Sequence, residues 1–167
     1  MTVFETIANR YSVRGYQSTP VEDEKLEKVL EAARLAPTAG NRQGYRVVVV
    51  PTQTYREALN KLYSRPWFTE APYVIGIYAV PGEYAVTPGG RSFGAVDAAI
   101  VFTQILLEAA ELGLGTCWVG AFDDQAALEL PQIEKSWEAV AFTPLGYFEE
   151  KDVKKIRKPL NDLVVRL

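Results

Sequence analysis

The sequence contains no histidine among its 167 residues and only one cysteine. Without histidine, a Ser-His-Asp triad, a Cys-His pair, a histidine zinc site and acid–base catalysis by imidazole are all excluded. The single cysteine, Cys117, cannot form an intrachain disulfide, and its apolar surroundings favour a buried structural thiol over a nucleophile or metal ligand. If the chain is an enzyme, its chemistry must come from another source, and we predict no metal site.

The sequence also has neither an excess of positive charge nor a long apolar run. Its formal net charge is −3, which does not suggest a nucleic-acid partner. The longest apolar stretch, residues 95–107, is broken by Asp97, Thr103 and Gln104, so we predict no membrane-spanning segment. Cysteine usage of this kind is typical of a cytoplasmic protein. Because repeats, linkers and low-complexity tracts are absent, we predict one domain over residues 1–167.

Hydrophobic periodicity and turn residues divide the chain into alternating helices and strands. The predicted helices cover residues 3–8, 22–35, 55–62, 92–112 and 123–130. The predicted extended segments cover residues 46–50, 73–80, 117–119 and 139–148. Since the strand signals lie far apart, with helices between them and no tight hairpin turn, we predict an α+β fold with a mixed central sheet flanked by helices.

The longest predicted helix, residues 92–112, is apolar on nearly every side and is closed by Gly113 and Gly115. A helix of this kind must be buried all round. In a domain of this size, one layer of other elements is too small to cover the whole surface of this helix. We therefore expect part of the helix to pack on a second copy of the chain. The sequence therefore predicts a homodimer.

Two basic clusters stand near opposite ends of the sequence. In an extended segment, Arg10, Ser12 and Arg14 would share one face and could converge on an anion such as a phosphate. Lys155 and Arg157 would point the same way from the second segment and form another basic fork. The alternative for the first cluster is a solvated helix end, and the alternative for the second is an ordinary solvated charge run.

A third polar cluster, "APTAGNRQGY" at residues 36–45, separates a helix from a run of four valines. Its short uncharged side chains and two amides, Asn41 and Gln43, suit a wall against a flat polar ligand. The alternative is an irregular turn, in which Asn and Gly are ordinary residues.

Taken together and in this order, the clusters resemble the flavin-dependent nitroreductase family over nearly the whole chain. Arg10, Ser12 and Arg14 match the family pattern R-x-S-x-[RK], and Pro37, Thr38, Asn41 and Gln43 match P-[ST]-x-x-N-x-Q. Gly113, Leu114, Gly115 and Gly120 match G-L-G-x-x-x-x-G. Lys155, Arg157 and Pro159 match K-x-R-x-P. An "LGY" segment, residues 145–147, precedes the last pattern as it does in the family.

The resemblance implies an interlocked homodimer with two flavin mononucleotides (FMN) at its interface. It assigns Arg10, Ser12, Lys155 and Arg157 to the phosphate, and Arg14 to the pyrimidine edge of the flavin. It assigns Pro37, Thr38 and Asn41 to a wall supplied by the partner chain, and the Gly120 and Ala121 backbone to the hydride-carrying ring nitrogen. The full predicted cofactor-binding set is Arg10, Tyr11, Ser12, Arg14, Pro37, Thr38, Ala39, Asn41, Gln43, Ser64, Trp118, Val119, Gly120, Lys155 and Arg157, with Gly120, Ala121 and Arg14 as the catalytic positions.

The implied activity is ping-pong reduction of nitroaromatics, quinones or similar acceptors, with NADH or NADPH as the electron donor. A flavin performs hydride chemistry itself, so the missing histidine is no obstacle. Two alternatives remain open: a flavin-binding protein without efficient NAD(P)H turnover, and a flavin-free module that binds another anion. A flavin that NADH and NADPH fail to bleach indicates the first alternative. A colourless protein that gains no flavin spectrum on addition of FMN indicates the second.

The sequence departs from the family at three places. Gly44 and Tyr45 stand where Pro-Trp is common, and Ser64 and Trp67 stand where larger relatives carry Asn and Lys. The connection at residues 81–90 is short where longer relatives insert helices over the active site. The pocket is therefore either open or covered by a lid of aromatic residues, which are Tyr63, Trp67, Phe68 and Tyr84. The alternative for these four residues is an ordinary contact in the core or at the dimer interface.

Overall fold

The structure is a computed structural model that describes residues 1–167. Its five α-helices are α1 (Val3–Asn9), α2 (Asp23–Arg34), α3 (Thr52–Leu62), α4 (Gly94–Glu111) and α5 (Asp124–Leu128). Its four strands are β1 (Tyr45–Pro51), β2 (Tyr73–Ala79), β3 (Gly115–Thr116) and β4 (Glu138–Gly146). Short 3-10 helices lie at Ala39–Asn41, Pro66–Thr69 and Leu160–Asp162.

The four strands form one sheet in the order β1-β2-β4-β3. Each neighbouring pair in that order is antiparallel, and the one parallel pairing is an isolated bridge between Ser12 and Thr116. The predicted extended segment at residues 117–119 follows β3, and within it Val119 forms an antiparallel bridge with Phe142. The predicted α+β class is confirmed.

The core lies on both faces of the sheet because side chains alternate along its central strands. In β2, Ile75 and Ile77 point into a cluster with α2 and α4, whereas Val74 and Tyr78 point into a second cluster with α3 and α5. All four side chains are fully buried, and burial of each contributes about 1.5–3 kcal/mol. The sheet thus fixes α4 on one face and the α3 and α5 pair on the other.

Glycines end α4 and set the start of β3. Gly113 has a φ of 75°, and the Leu114 amide donates to the carbonyl of Ala109 over 2.8 Å while the Gly113 amide donates to that of Ala110. This bonding is a Schellman motif, in which the left-handed residue is usually glycine. The chain therefore leaves α4 abruptly and turns directly into β3, which carries it towards Cys117.

Several apolar residues have no partner in the chain. The predicted apolar face of α1 exists, but Val3 and Phe4 on it are 77% and 79% exposed. Val96 and Ile100 form a second exposed stripe, one turn apart on α4, and the residues after β4 carry the exposed Ile156 and Leu163. None of the helices combines the length and hydropathy that crossing a bilayer requires.

Candidate functional site

The segment after α1 is extended and lies along the edge of the sheet. Ser12 bridges Thr116, and the Val13 amide donates to the Thr116 carbonyl over 2.9 Å. Odd-numbered side chains point to the protein body: Val13 is buried, and Tyr11 packs edge-on against Phe148 with ring centroids 5.8 Å apart. The even-numbered side chains are therefore free to share the opposite face.

Arg10, Ser12 and Arg14 all lie near the same thiol. Burial raises the pKa of Cys117, while Arg14, the Ser12 hydroxyl and Arg10 each act to lower it. Cys117 itself is buried, and its amide donates to the Thr143 hydroxyl over 2.9 Å. The structure thus brings together the three side chains that the spacing places on one face, with a protonated thiol behind them.

The second basic segment meets the first at Arg10. The Lys155 ammonium donates to the carbonyl of Ala8, at the end of α1. The pKa of Lys155 is lowered by burial and then by the neighbouring charges of Arg10 and Arg157. Basic side chains from the two ends of the sequence therefore lie close enough to repel one another.

The cation cluster, which we define as Arg10, Arg14, Lys155 and Arg157, lacks any acidic partner. The salt bridges of the chain involve other residues, and the hydrogen bonds recorded for the cluster end on the backbone carbonyls of Ala8 and Ile156. Converging cations that form no salt bridge are an arrangement that a phosphate stabilises, since it neutralises their repulsion and accepts their hydrogen bonds. Of this cluster, Arg10, Lys155 and Arg157 fit the phosphate of FMN, and Arg14 remains for the ring.

A cavity of about 540 Å³ lies beside this cluster. Arg10 and Lys155 line it together with Tyr11, Phe148 and Thr116, and the Thr116 hydroxyl is buried without a hydrogen-bond partner. Ser12, Arg14 and residues 118–121 do not line this cavity. In a single chain, this cavity therefore includes part of the cation cluster but not the predicted ring segment.

The predicted ring segment, residues 118–121, leaves the sheet after Cys117. Trp118 is 38% exposed and packs edge-on against Phe102 of α4, with ring centroids 4.9 Å apart. Two hydrogen bonds join Val119 to Phe142, whereas Gly120 and Ala121 are exposed. Pairing with β4 stops at Val119, so the backbone amides of Gly120 and Ala121 can contact a ligand.

Ser64 lies near this segment. The Asp123 amide donates to the Leu62 carbonyl over 2.9 Å, which places the end of α3 beside residues 120–123. Ser64 follows α3 and is exposed. The bond thus places Leu62, two residues before Ser64, against Asp123, two residues after the predicted ring segment.

The aromatic residues proposed as a lid do not form one group. Tyr63, Trp67 and Phe68 pack edge-on against one another, and Phe68 is fully buried. Tyr84 lies elsewhere, against Gly44 and Gly94. Phe68 is a core residue, and a lid of all four aromatics is therefore wrong.

The loop at residues 37–43, here called the wall loop, has an unusual backbone. Asn41 and Gln43 both have a φ of 53°, which is uncommon for residues other than glycine. Within the loop, the Gln43 amide donates to the Thr38 hydroxyl, and the Gln43 side chain donates to the Asn41 carbonyl. Asn41 and Gln43 remain exposed, so both can contact a ligand from outside the chain.

The wall loop and the cation cluster lie at opposite ends of α4. The Ala39 amide donates to Asp97 in the first turn of α4, whereas Ala110 in the last turn lines the cavity beside Arg10. Thirteen residues at 1.5 Å each separate these positions by about 20 Å. The structure therefore does not bring the wall loop to the cation cluster of the same chain.

Sequence reasoning missed two residues that shape the wall loop. Asp97 is a lone carboxylate within an apolar helix, a pattern that could have indicated a buried polar contact. Gly44 offered no such signal, because its role depends on a residue forty positions away. A Cβ atom at Gly44 would lie 2.7 Å from the Cα atom of Tyr84, so the short connection at residues 81–90 rests directly on this glycine.

We expect Gly44→Ala to destabilise the fold by about 3 kcal/mol, because the added methyl group meets backbone and cannot be relieved by a side-chain rotation. Gly15→Ala is the matched control, since no atom lies within 4 Å of a Cβ there. Chemical denaturation of both variants measures the difference. Equal stability of the two would contradict the packing of Tyr84 on Gly44.

Comparison with known proteins agrees with this architecture. The family model described as "Nitroreductase family" matches residues 7–64 and 51–147. A nitroreductase family protein from Clostridium difficile 630 is 33% identical, with a TM-score of 0.90 over 99% of this chain and 98% of that chain. The chain belongs to the nitroreductase family, as the four motifs indicated.

Two further relatives have names that refer to a flavin. The chain is 27% identical over 175 aligned positions to the "FMN reductase [NAD(P)H]" of Bacillus subtilis, an alignment covering 94% of this chain and 70% of that protein. It is 26% identical to an FMN-dependent nitroreductase from Clostridium difficile R20291, with a TM-score of 0.78 over 95% of this chain and 93% of that chain.

Proposed function

We propose that this chain is an FMN-dependent oxidoreductase that takes electrons from NADH or NADPH, and that residues 1–167 form one FMN-binding domain. The observation that carries the proposal is the cation cluster, in which side chains from both ends of the sequence converge without an acidic partner. The names of the Bacillus subtilis and Clostridium difficile relatives support the same cofactor.

The phosphate of FMN is held by the guanidinium groups of Arg10 and Arg157, the ammonium of Lys155 and the hydroxyl of Ser12. Arginine can bind two phosphate oxygens at once, and lysine adds a point charge. Tyr11 lies between Arg10 and Ser12 in the sequence, and its contact with Phe148 holds this segment against the protein.

When bound, FMN supplies the transfer of a hydride between a nicotinamide and an oxidised acceptor. Arg14 places a fixed positive charge where electron density builds up on the pyrimidine edge, which favours the reduced cofactor. The free backbone amides at Gly120 and Ala121 orient the ring, and Trp118, Val119 and Ser64 complete this side of the site. None of these roles requires a group that titrates near neutral pH.

The site is completed by a second copy of the chain. The wall loop lies about 20 Å from the cation cluster along α4, so Pro37, Thr38, Ala39, Asn41 and Gln43 reach the flavin held mainly by the partner. The exposed apolar residues of α1, α4 and the C-terminal segment form the interface. The outer edge of β1 is also unpaired in a single chain, and an unpaired edge is stabilised by contact with another chain.

The acceptor is an oxidised aromatic compound such as a nitroaromatic or a quinone. A site on an exposed surface, closed by a loop of small side chains, contacts an acceptor mainly through the flavin face. Such a face discriminates poorly between flat molecules. We therefore propose loose acceptor specificity and a ping-pong order, in which donor and acceptor use the same face in turn.

The proposal is tested by purifying the protein, adding FMN and removing the excess. We expect retained FMN, and rapid loss of the yellow colour when NADH or NADPH is added without oxygen. Retained FMN without bleaching would instead indicate a flavin-binding protein that does not use nicotinamides, a result that the exposed Ser64 in place of Asn makes important to examine. Failure to retain FMN would contradict the proposal.

A further inference from the structure

Asp97 is the only charged residue among the buried residues of the chain, with 1% of its surface exposed. A buried carboxylate is costly unless hydrogen bonds compensate for the lost hydration. Its Oδ1 atom accepts a hydrogen bond of 3.0 Å from the Ala39 amide, whereas Oδ2 is buried without a partner. Its position in the first turn of α4 also lowers the cost, because the amino end of a helix favours negative charge.

The hydrogen bond from Ala39 connects Asp97 to the wall loop. Every other side-chain hydrogen bond to residues 38–43 comes from within the loop itself, between Thr38, Asn41 and Gln43. Asp97 is therefore the one side chain from elsewhere in the chain that bonds this part of the loop. The bond joins positions 58 residues apart in the sequence.

The loop needs such an anchor because its backbone is strained. Asn41 and Gln43 both adopt the left-handed region, and residues in this region persist only when the surrounding structure over-determines them. The side-chain and backbone hydrogen bonds inside the loop fix its local shape, but they do not fix where the loop lies on the protein. The bond to Asp97 does so, because the adjacent residue of α4, Ala98, is fully buried in the core.

We propose that Asp97 is a positioning residue of the flavin site. Its carboxylate holds the wall loop at the start of α4 in the strained shape that presents Asn41 and Gln43 to the FMN held mainly by the partner chain. Asp97 does not touch the cofactor. The part of this inference that concerns FMN rests on the function proposed above, whereas the anchoring of the loop does not.

The test compares Asp97→Ala, Asp97→Asn and Val101→Ala with the unmodified protein. Asparagine keeps an oxygen that can accept the Ala39 amide, and alanine does not. Val101→Ala is the matched control, since it removes buried atoms one turn further along the same helix without a bond to the loop. Two quantities are measured: the rate of trypsin cleavage after the exposed Arg42, which needs no flavin, and the equilibrium dissociation constant of FMN.

We expect Asp97→Ala to increase cleavage after Arg42 and the dissociation constant of FMN, each about tenfold, because a hydrogen bond to a charged group is lost. Asp97→Asn should restore both values to near those of the unmodified protein. Val101→Ala should lower the melting temperature and leave both values unchanged. This pattern would separate positioning of the loop from a general loss of stability.

Two results would overturn the inference. One is unchanged cleavage after Arg42 in Asp97→Ala, which would show that the loop does not depend on the carboxylate. The other is faster cleavage with unchanged FMN affinity, which would show that the loop does not serve the flavin site. If the unmodified protein binds no FMN, the proposed function fails, and the cleavage rates still decide whether Asp97 anchors the loop.

Discussion

Arg10→Glu should abolish retention of FMN, with the dissociation constant raised by about a thousandfold or more. Removal of one charged hydrogen bond weakens binding by about 1.5–3 kcal/mol, and placing a like charge against the phosphate costs several kcal/mol more. Arg10 is the member of the cation cluster that lies near both Lys155 and Cys117. Arg10→Ala should weaken FMN binding only by the first amount, about 1.5–3 kcal/mol, because it removes the hydrogen bond without adding a like charge. Equilibrium dialysis or quenching of flavin fluorescence measures both variants.

Lys61→Glu is the control for Arg10→Glu. It reverses an exposed charge on α3 that forms no salt bridge, and it should leave FMN affinity unchanged at moderate ionic strength. Arg10 is half-buried and outside regular secondary structure, so its exchange should change the melting temperature little. Retention of FMN by Arg10→Glu would contradict the assignment of the phosphate to the cation cluster.

The parts of the fold that local chemistry determines could be predicted from the sequence. α2 and α4 follow from apolar residues at helical spacing, and α5 begins after Asp123, a residue type typical of helix caps, which accepts the Ala126 amide over 2.8 Å. The start of α3 could not be predicted. Its first turn lacks apolar periodicity and is held by the Thr52 amide, which donates to the Pro72 carbonyl, a contact that depends on the sheet having formed.

The candidate site likewise contains features that the local sequence predicts and contacts that it does not. The shared face of Arg10, Ser12 and Arg14 follows from two-residue alternation in an extended segment, which the sequence contains. The anchoring of Ala39 by Asp97 and the packing of Tyr84 on Gly44 join positions far apart in the chain. No local pattern encodes such contacts. The strain at Asn41 and Gln43 was equally hidden, because these residue types are ordinary in turns.

The second large effect concerns the association of two chains. We expect Ile100→Glu to convert the protein from a dimer to a monomer and to remove bound FMN at the same time. Ile100 is 38% exposed on α4, one turn from the exposed Val96, whereas the buried face of α4 packs against α2 and the sheet. Burying an unpaired carboxylate in an apolar interface costs several kcal/mol, which exceeds what an ordinary dimer contact can offset.

The two losses should occur together because, in the proposed dimer, each flavin site is completed by the wall loop of the other chain. A monomer keeps the complete cation cluster, yet its own wall loop lies about 20 Å away along α4 and cannot cover the ring. Light scattering measures the mass, and the visible spectrum of the same fraction measures the flavin. Thr54→Glu, on α3 at the opposite face of the sheet, should leave both unchanged. A monomeric Ile100→Glu that holds FMN as tightly as the unmodified protein would show that one chain builds the site alone.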